Sequence, residues 1–173
     1  MENQPLTEKA VSFGAYKMLV NVRKTHKWYD AKKLCWCDCA GCRNMEIAFH
    51  NLPQEVSTFL GALGVDPMCP GETAHYIGRQ LSPDASEVES SVWYHICGKL
   101  LEGSVKTPST APDGAIVRYV DGYGEQWTIM DGWSVTFKKE CDLIADDFPR
   151  PCFQMELWCT LPWLLDESNP YII

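Results

Sequence analysis

Two alternating segments joined by Asp131-Gly132 constrain the fold of this chain more than any other feature. Aspartate followed by glycine is the favoured pair for a two-residue hairpin turn, because both central residues of that turn need positive φ. Residues 126–130 precede the pair and residues 133–138 follow it, and both segments predict strands. In the second segment, apolar and polar side chains alternate as Trp133, Ser134, Val135, Thr136, Phe137 and Lys138. The pattern predicts an antiparallel hairpin with one buried face.

Further alternation on both sides extends this hairpin to a meander. Residues 115–120 predict a strand before it, and residues 121–124 predict the intervening turn. Residues 91–101 predict an earlier strand, whereas residues 107–114 contain two prolines and predict a surface loop. In a last predicted strand, Phe153, Met155, Leu157 and Cys159 alternate with Gln154, Glu156 and Thr160.

Helical spacing is confined to the N-terminal half of the chain. The clearest helix is predicted from about Leu52, with Pro53 in its first turn, to Gly64. Its apolar residues, at i, i+3, i+4 and i+7 spacing, are Val56, Phe59, Leu60 and Leu63. A second helix is predicted from about Pro70. Its buried face consists of Ala74, Ile77 and Leu81.

The order of these segments favours an α+β fold over an α/β fold, because helices precede the strands instead of alternating with them. Residues 13–22 predict a strand that joins the sheet, Met45 and Phe49 predict a short helix, and residues 82–87 predict a loop. We expect one domain over residues 1–173. It should be a twisted antiparallel sheet, a meander in its C-terminal half, with two or three helices from the N-terminal half packed on one face.

Charge and composition limit the partners of the chain. A net charge of −8 argues against binding to a nucleic-acid backbone, and the one basic stretch, residues 23–33, predicts a solvated surface. An acidic surface rich in aromatic side chains favours a basic protein partner. The N-terminal residues lack a signal-peptide pattern, and no apolar run reaches the roughly 20 residues that span a bilayer. We therefore expect a cytoplasmic protein without a membrane segment.

The most unusual local feature is a cluster of cysteines. Cys35, Cys37, Cys39 and Cys42 place four thiols within eight residues. Cysteines with two residues between them are common in zinc sites, because a tight turn brings both sulfurs to one ion. The sequence therefore predicts a metal site at these four residues, with zinc as the metal. The candidates for a further ligand are Cys69, His50 and His75.

Two alternatives to a metal site remain open. Cys39 and Cys42 have the spacing of a redox dithiol, in which a thiol at a helix N-terminus attacks and its partner resolves the mixed disulfide. The other alternative is that the thiols pack as small hydrophobic groups.

Other residues give weaker chemical signals. We expect the His95 side chain to be buried and hydrogen-bonded. The alternative is that it forms a catalytic dyad with Cys97 or Cys159. His75 is predicted on the solvated face of the second helix. The acidic residues Glu140, Asp142, Asp146 and Asp147 predict a charged loop, or else a docking surface. Nucleotide-binding, hydrolase and zinc-protease motifs are absent, so no catalytic residue is assigned.

These observations leave three functions. The first is a small cytoplasmic binding or accessory protein that acts through an acidic, aromatic-rich surface. The second is a metalloprotein with a structural or regulatory zinc at residues 35–42. The third is a thiol-based redox enzyme that uses Cys39 and Cys42.

Overall fold

The computed structural model describes residues 8–32, 36–76, 86–112 and 115–171. The elements within these ranges are β1 (Lys9–Phe13), β2 (Tyr16–Val20), α1 (Val22–Asp30), α2 (Ala40–Phe49), α3 (Gln54–Leu63), β3 (Glu72–His75), β4 (Glu87–Glu102), β5 (Val105–Thr110), β6 (Ile116–Gly122), β7 (Trp127–Met130), β8 (Trp133–Lys138) and β9 (Cys152–Pro162).

Strands β4 and β9 form the centre of an antiparallel sheet. They pair without a register shift from Glu87 opposite Pro162 to Cys97 opposite Cys152. The strand order is β1-β2-β4-β9-β8-β7. The second edge of β4 is divided, because β3 pairs with its first half and β2 with its last residues. The consecutive strands β7, β8 and β9 form the predicted meander.

Alternation along the two central strands builds the core. Successive side chains of a strand point to opposite faces, so every second residue of β4 and β9 lies on one face. Residues that are fully buried and directly opposite one another on this face are Val92 and Leu157, Tyr94 and Met155, and Ile96 and Phe153. Burying one such side chain contributes about 1.5–3 kcal/mol. The helices pack on one face of the twisted sheet, which confirms the predicted α+β class.

The helices begin and end at residues with a clear local reason. The Asn21 side chain caps α1 by accepting a hydrogen bond of 3.0 Å from the backbone N–H of Lys24. The predicted helix near residues 52–63 is confirmed as α3, with Pro53 immediately before it. Gly64 ends α3 with φ of 77°, and a Cβ there would lie 2.4 Å from the carbonyl oxygen of Val22. Of the helices in the described ranges, none is long and apolar enough to cross a membrane.

The strand predicted over residues 13–22 is confirmed for Tyr16–Val20, which is β2 and joins the sheet beside β4, but it is wrong at both ends. The chain turns at Gly14, whose φ is 53°, so that β1 and β2 form a hairpin. Helix α1, which was not predicted, then begins at Val22. Most of its side chains are cationic or polar, and its buried face consists of Thr25 and Tyr29, which are spaced i, i+4. A buried face this narrow gives little amphipathic pattern in the sequence. Asn21, a residue type that commonly caps helix N-termini, is the sequence feature from which this helix could have been predicted.

The second predicted helix, from about Pro70, is also wrong. Residues Glu72–His75 form β3, which pairs with Ser90 to Trp93 of β4. This run is too short for its apolar spacing to separate a helix from a strand, and pairing with the long β4 decides the outcome. The remaining residues of that prediction, Ile77 and Leu81, lie outside the described residues, as do residues 82–85 of the loop predicted after them.

The surface loop predicted over residues 107–114 is wrong in its first part. Val105–Thr110 is β5, which pairs with β6 in a separate two-stranded sheet, whereas residues 113 and 114 lie outside the described part. Pro108 is tolerated because a strand in a two-stranded sheet has a free edge. The strand predicted over residues 115–120 is present as β6, but it pairs with β5 and is not part of the meander.

The hairpin at Asp131-Gly132 is confirmed, with a different turn geometry. The two residues connect β7 to β8, and Met130 lies opposite Trp133. Gly132 has φ of 74°, whereas Asp131 keeps a negative φ. The register shift between Thr128 and Met130 accompanies this turn. Glycine alone thus supplies the left-handed residue of the turn.

Candidate metal centre

Three cysteine sulfurs meet at the start of α2. The Sγ atoms of Cys37, Cys39 and Cys42 all lie within 4.8 Å of one another. The thiol of Cys37 donates a hydrogen bond of 3.1 Å to Sγ of Cys39. Cys37 and Cys39 are exposed and Cys42 is buried, so the cluster lies at the surface. Three sulfurs this close together could hold one metal ion. Cys35, the fourth cysteine of the predicted site, lies outside the described residues.

The first turn of α2 explains why two of these sulfurs converge. Cys39 is the N-cap, with extended backbone, and its sulfur accepts a hydrogen bond of 3.4 Å from the backbone N–H of Cys42. Residues three apart at a helix start lie on the same side, so the pair faces one point. The Trp36 ring, with its centroid 5.8 Å from that of Phe49, packs the incoming segment against α2. The sequence Cys-x2-Cys therefore produces the cluster through helix capping.

Strand β3 supplies the polar neighbours of Cys42. The Cys42 sulfur lies 3.1 Å from Oγ1 of Thr73 and 3.4 Å from Nε2 of His75. The other ring nitrogen of His75, Nδ1, shares a hydrogen bond of 2.8 Å with the Ser90 hydroxyl on β4. A hydrogen-bond partner at one ring nitrogen fixes the orientation of an imidazole and its tautomer. The His75 ring is thus held with Nε2 toward the cluster.

A glycine allows α2 to approach this histidine closely. A Cβ on Gly41 would lie 2.3 Å from Cδ2 of His75, well inside van der Waals contact. The Gly41 N–H also donates a hydrogen bond of 3.3 Å to the hydroxyl of Tyr171, whose ring centroid lies 5.3 Å from that of His75. The near-terminal Tyr171 therefore closes the site from one side. It is separated from the cluster by about 130 residues in sequence, so spacing gave no signal for it.

Burial and hydrogen bonds give the two cysteines of the capping pair different acidities. Burial raises the pKa of Cys42 to about 12, although the Thr73 hydroxyl opposes the rise. Partial burial also acts to raise the pKa of Cys39, but hydrogen bonds from the Cys37 thiol and the Cys42 N–H outweigh it, and that pKa is lowered. Burial lowers the pKa of His75, which keeps its imidazole neutral and able to donate a lone pair at neutral pH.

Of the three candidates for a further ligand, His75 is the one that contacts the cluster. It does so through Cys42 from a strand, and not from the solvated helix face predicted for it. His50 is exposed at the opposite end of α2. Cys69 contacts a carboxylate oxygen of Asp66 at 3.9 Å. Within the described ranges, the group of close ligand atoms consists of Cys37, Cys39 and Cys42, so His75 lies beside this group through Cys42 and does not belong to it, nor do His50 and Cys69.

The side chains of His95 and of the acidic loop, which the sequence also suggested as functional residues, make hydrogen bonds and ion pairs within the fold. His95 is buried, and its Nε2 donates a hydrogen bond of 2.9 Å to the carbonyl oxygen of Asp142, as expected for a packed histidine. In the acidic loop, Asp142 pairs with Lys138 and Asp147 pairs with Lys32. These contacts account for two of the four acidic residues that the sequence grouped together.

Comparisons with protein-family models, with curated proteins and with solved structures give no match to this chain.

Proposed function

We propose that the protein binds one zinc ion through Cys37, Cys39, Cys42 and His75, and that the ion stabilises the fold. The observation that carries this proposal is the mutual approach of three sulfurs within 4.8 Å, with Nε2 of His75 beside Cys42. Three thiolates and one imidazole are a common ligand set for structural zinc. Soft sulfur donors also disfavour calcium and magnesium, which take oxygen ligands.

The ligand atoms would have to shift to fit such an ion, because Nε2 of His75 lies 3.4 Å from the Cys42 sulfur but outside the group of sulfurs that all lie within 4.8 Å of one another. In a tetrahedral site with Zn–S distances of about 2.3 Å, the sulfurs lie about 3.8 Å apart. Cys37 and Cys39, at 3.1 Å, would move slightly apart, and both are exposed and unconstrained by core packing. Nδ1 of His75 would donate its proton to Ser90, the kind of outer contact that holds ligating histidines in place.

The ion would join parts of the chain that are separate in sequence. The ligands come from the segment before α2, from the first turn of α2 and from β3, which is itself paired with the central strand β4. An ion at this point would fix the start of α2 to the sheet. Because the unfolded chain does not hold these ligands together, the binding energy of the ion would add to the stability of the fold.

The test is metal content together with thermal stability. Protein purified without chelator should contain about one zinc per chain. A chelator should lower the melting temperature, and added zinc should restore it. A wild-type protein that takes up no zinc at micromolar concentration would overturn the proposal.

Two matched pairs of variants locate the ion. Cys39→Ser should lose the zinc, whereas Cys69→Ser should keep it. His75→Ala should weaken zinc binding at least about tenfold. His50→Ala, at the exposed far end of α2, should leave the affinity unchanged. Equal affinities in the two histidine variants would remove His75 from the site.

A second candidate function is dithiol redox chemistry at Cys39 and Cys42. Its support is that the first thiol is exposed at a helix N-cap and the second is buried one turn later, which is the arrangement of an attacking and a resolving thiol. In protein stripped of metal, mild oxidation should then give a Cys39–Cys42 disulfide. Peptide mapping that finds both thiols free after oxidation would exclude this alternative.

The binding role predicted from composition, through an acidic surface and a basic partner, stays a prediction. Its test is co-purification from a lysate followed by a salt titration. An affinity that falls steeply between low and physiological salt would support electrostatic association.

A further inference from the structure

A second pair of cysteines lies on the other side of the sheet. Cys141, in the segment between β8 and β9, has its sulfur 3.7 Å from the sulfur of Cys152, the first residue of β9. Both residues are partly exposed. A disulfide requires the sulfurs to approach from 3.7 Å to about 2.05 Å.

An arginine distinguishes the two thiols. Nη1 of Arg150 donates a hydrogen bond of 3.3 Å to Sγ of Cys152. A thiolate is the reactive form of cysteine, and a nearby cation stabilises it. The hydrogen bond from Cys141 is the largest cause that lowers the pKa of Cys152 to about 7, and Arg150 adds to it. The same pairing, together with burial, raises the pKa of Cys141.

Cys152 also lines an open cavity of about 360 Å³. Two lysines, Lys99 and Lys139, contribute positive charge to its wall. The exposed side chain of Leu101 contributes apolar surface. A cavity with two cations and an apolar wall suits a small organic anion, and Cys152 is one of the residues that line it.

We propose that Cys152 and Cys141 are the attacking and resolving thiols of a redox pair that is oxidised by a small anionic disulfide. The Cys152 thiolate attacks one sulfur of the disulfide, forming a mixed disulfide and releasing one thiolate. Cys141 then loses its proton to solvent, and its sulfur attacks Sγ of Cys152 and releases the second thiolate. The protein dithiol loses two electrons and two protons, and the small disulfide becomes two thiols.

Cys97 is the competing partner for Cys152, because it lies directly opposite on β4. It is buried, so it is less accessible than Cys141, which is partly exposed. Cys141 is both closer to the surface and in contact with the Cys152 sulfur.

The experiment uses the full chain, reduced and then treated with oxidised glutathione at pH 7.5. Free thiols are trapped by alkylation, and the products are mapped by mass spectrometry. We expect a Cys141–Cys152 disulfide in the wild type and in Cys97→Ser, and a stable glutathione adduct on Cys152 in Cys141→Ser. A Cys97–Cys152 disulfide, or an unmodified Cys152, would overturn the proposal. Mapping by residue keeps this result separate from anything that happens at Cys37, Cys39 and Cys42.

The rates test the roles of the charged residues. Arg150→Gln should slow the first step about tenfold, because less thiolate is present at neutral pH. Replacing Lys99 and Lys139 by glutamine should slow the reaction with oxidised glutathione, but not that with uncharged hydroxyethyl disulfide. Equal losses with both reagents would show that the cavity does not select an anion. An unchanged rate in Arg150→Gln would contradict the assignment of Cys152 as the activated thiol.

Discussion

Gly41 is the residue on which the geometry of the candidate metal centre depends most. Its missing side chain lets the first turn of α2 lie against the ring of His75. Spacing in the sequence found Cys37, Cys39 and Cys42, and it named His75 among three candidates, because ligand types and short separations are visible in a sequence. It could not choose between His75, His50 and Cys69, since that choice depends on which strand lies beside α2.

The first prediction concerns Gly41→Ala. The new methyl group would overlap the His75 ring and push it away from Cys42, so zinc affinity should fall at least about tenfold. Overpacking of this kind should also cost about 1–3 kcal/mol of unfolding free energy. Zinc titration and denaturant unfolding measure the two effects.

Gly61→Ala is the matched control, because a Cβ on Gly61 meets no atom within 4 Å. Alanine is the better helix former by about 0.5–1 kcal/mol, so this variant should be as stable as the wild type or more stable, with unchanged zinc affinity. A Gly41→Ala protein that binds zinc like Gly61→Ala would show that His75 does not need its present position.

The second prediction concerns His95 and pH. Burial lowers the pKa of His95 below the ordinary value of 6.5, and the hydrogen bond to the Asp142 carbonyl opposes this without cancelling it. The unfolded chain therefore takes up a proton first as the pH falls. Stability should be fully present above about pH 6.5 and should decrease as the pH drops from there toward the folded pKa.

Thermal unfolding of metal-free protein between pH 8 and pH 5 measures this slope. His95→Gln should flatten it in part, leaving the contribution of His75, whose pKa is also lowered by burial. A slope unaffected by His95→Gln would mean that the neutral form of His95 is not required by the fold.

At the scale of elements, a buried asparagine fixes α2 to the sheet. Nδ2 of Asn44 donates a hydrogen bond of 3.0 Å to the carbonyl oxygen of Pro162, and its Oδ1 accepts one of 2.6 Å from the N–H of Leu164. Both partners lie at the end of β9, so one side chain satisfies the backbone where the strand ends. The sequence predicted the last strand, but it gave no sign that α2 would be its neighbour.

The third prediction is that Asn44→Ala destabilises the protein by about 1–3 kcal/mol, because it removes two part-buried hydrogen bonds made by a fully buried side chain. Gln54→Ala is the control, since Gln54 makes an exposed hydrogen bond to Thr58 and should cost less than about 0.5 kcal/mol. Urea unfolding measures both. Equal costs in the two variants would show that solvent replaces the contacts of Asn44.

The elements that were predicted wrongly share a physical cause. Strand β3 has four residues and β5 contains Pro108, so neither has a local pattern strong enough to specify a strand. Each is a strand because a longer partner pairs with it. Helix α3 and the β7–β8 hairpin were predicted correctly, because a full amphipathic period and a glycine turn specify them locally.

Over the whole molecule, the two sheets should differ in their resistance to local unfolding. The pair β4 and β9 lies at the centre of the large sheet with a continuous buried face. The β5–β6 sheet has two strands, and its side chains at Val105, Ile116 and Tyr119 are exposed. Two strands without a covered face are marginally stable in water.

The fourth prediction follows for hydrogen exchange. Amides of β4 and β9 should exchange last, through global unfolding, whereas those of β5 and β6 should exchange much earlier by local opening. Exchange followed by mass spectrometry resolves the two sheets. Equal protection of both would mean that β5 and β6 are covered by contacts not present in the isolated chain.

The length of β4 has a consequence for how this chain can change over generations. Ser90, which orients His75, and Cys97, which lies opposite Cys152, are seven positions apart on that strand. An odd separation places them on opposite faces, about 23 Å apart along the strand. Substitutions at such a distance act independently. A lineage could therefore lose the cysteines of the candidate metal centre and keep the Cys141 and Cys152 pair, or the reverse, without compensating changes. Related chains should accordingly show the two sets of cysteines inherited separately.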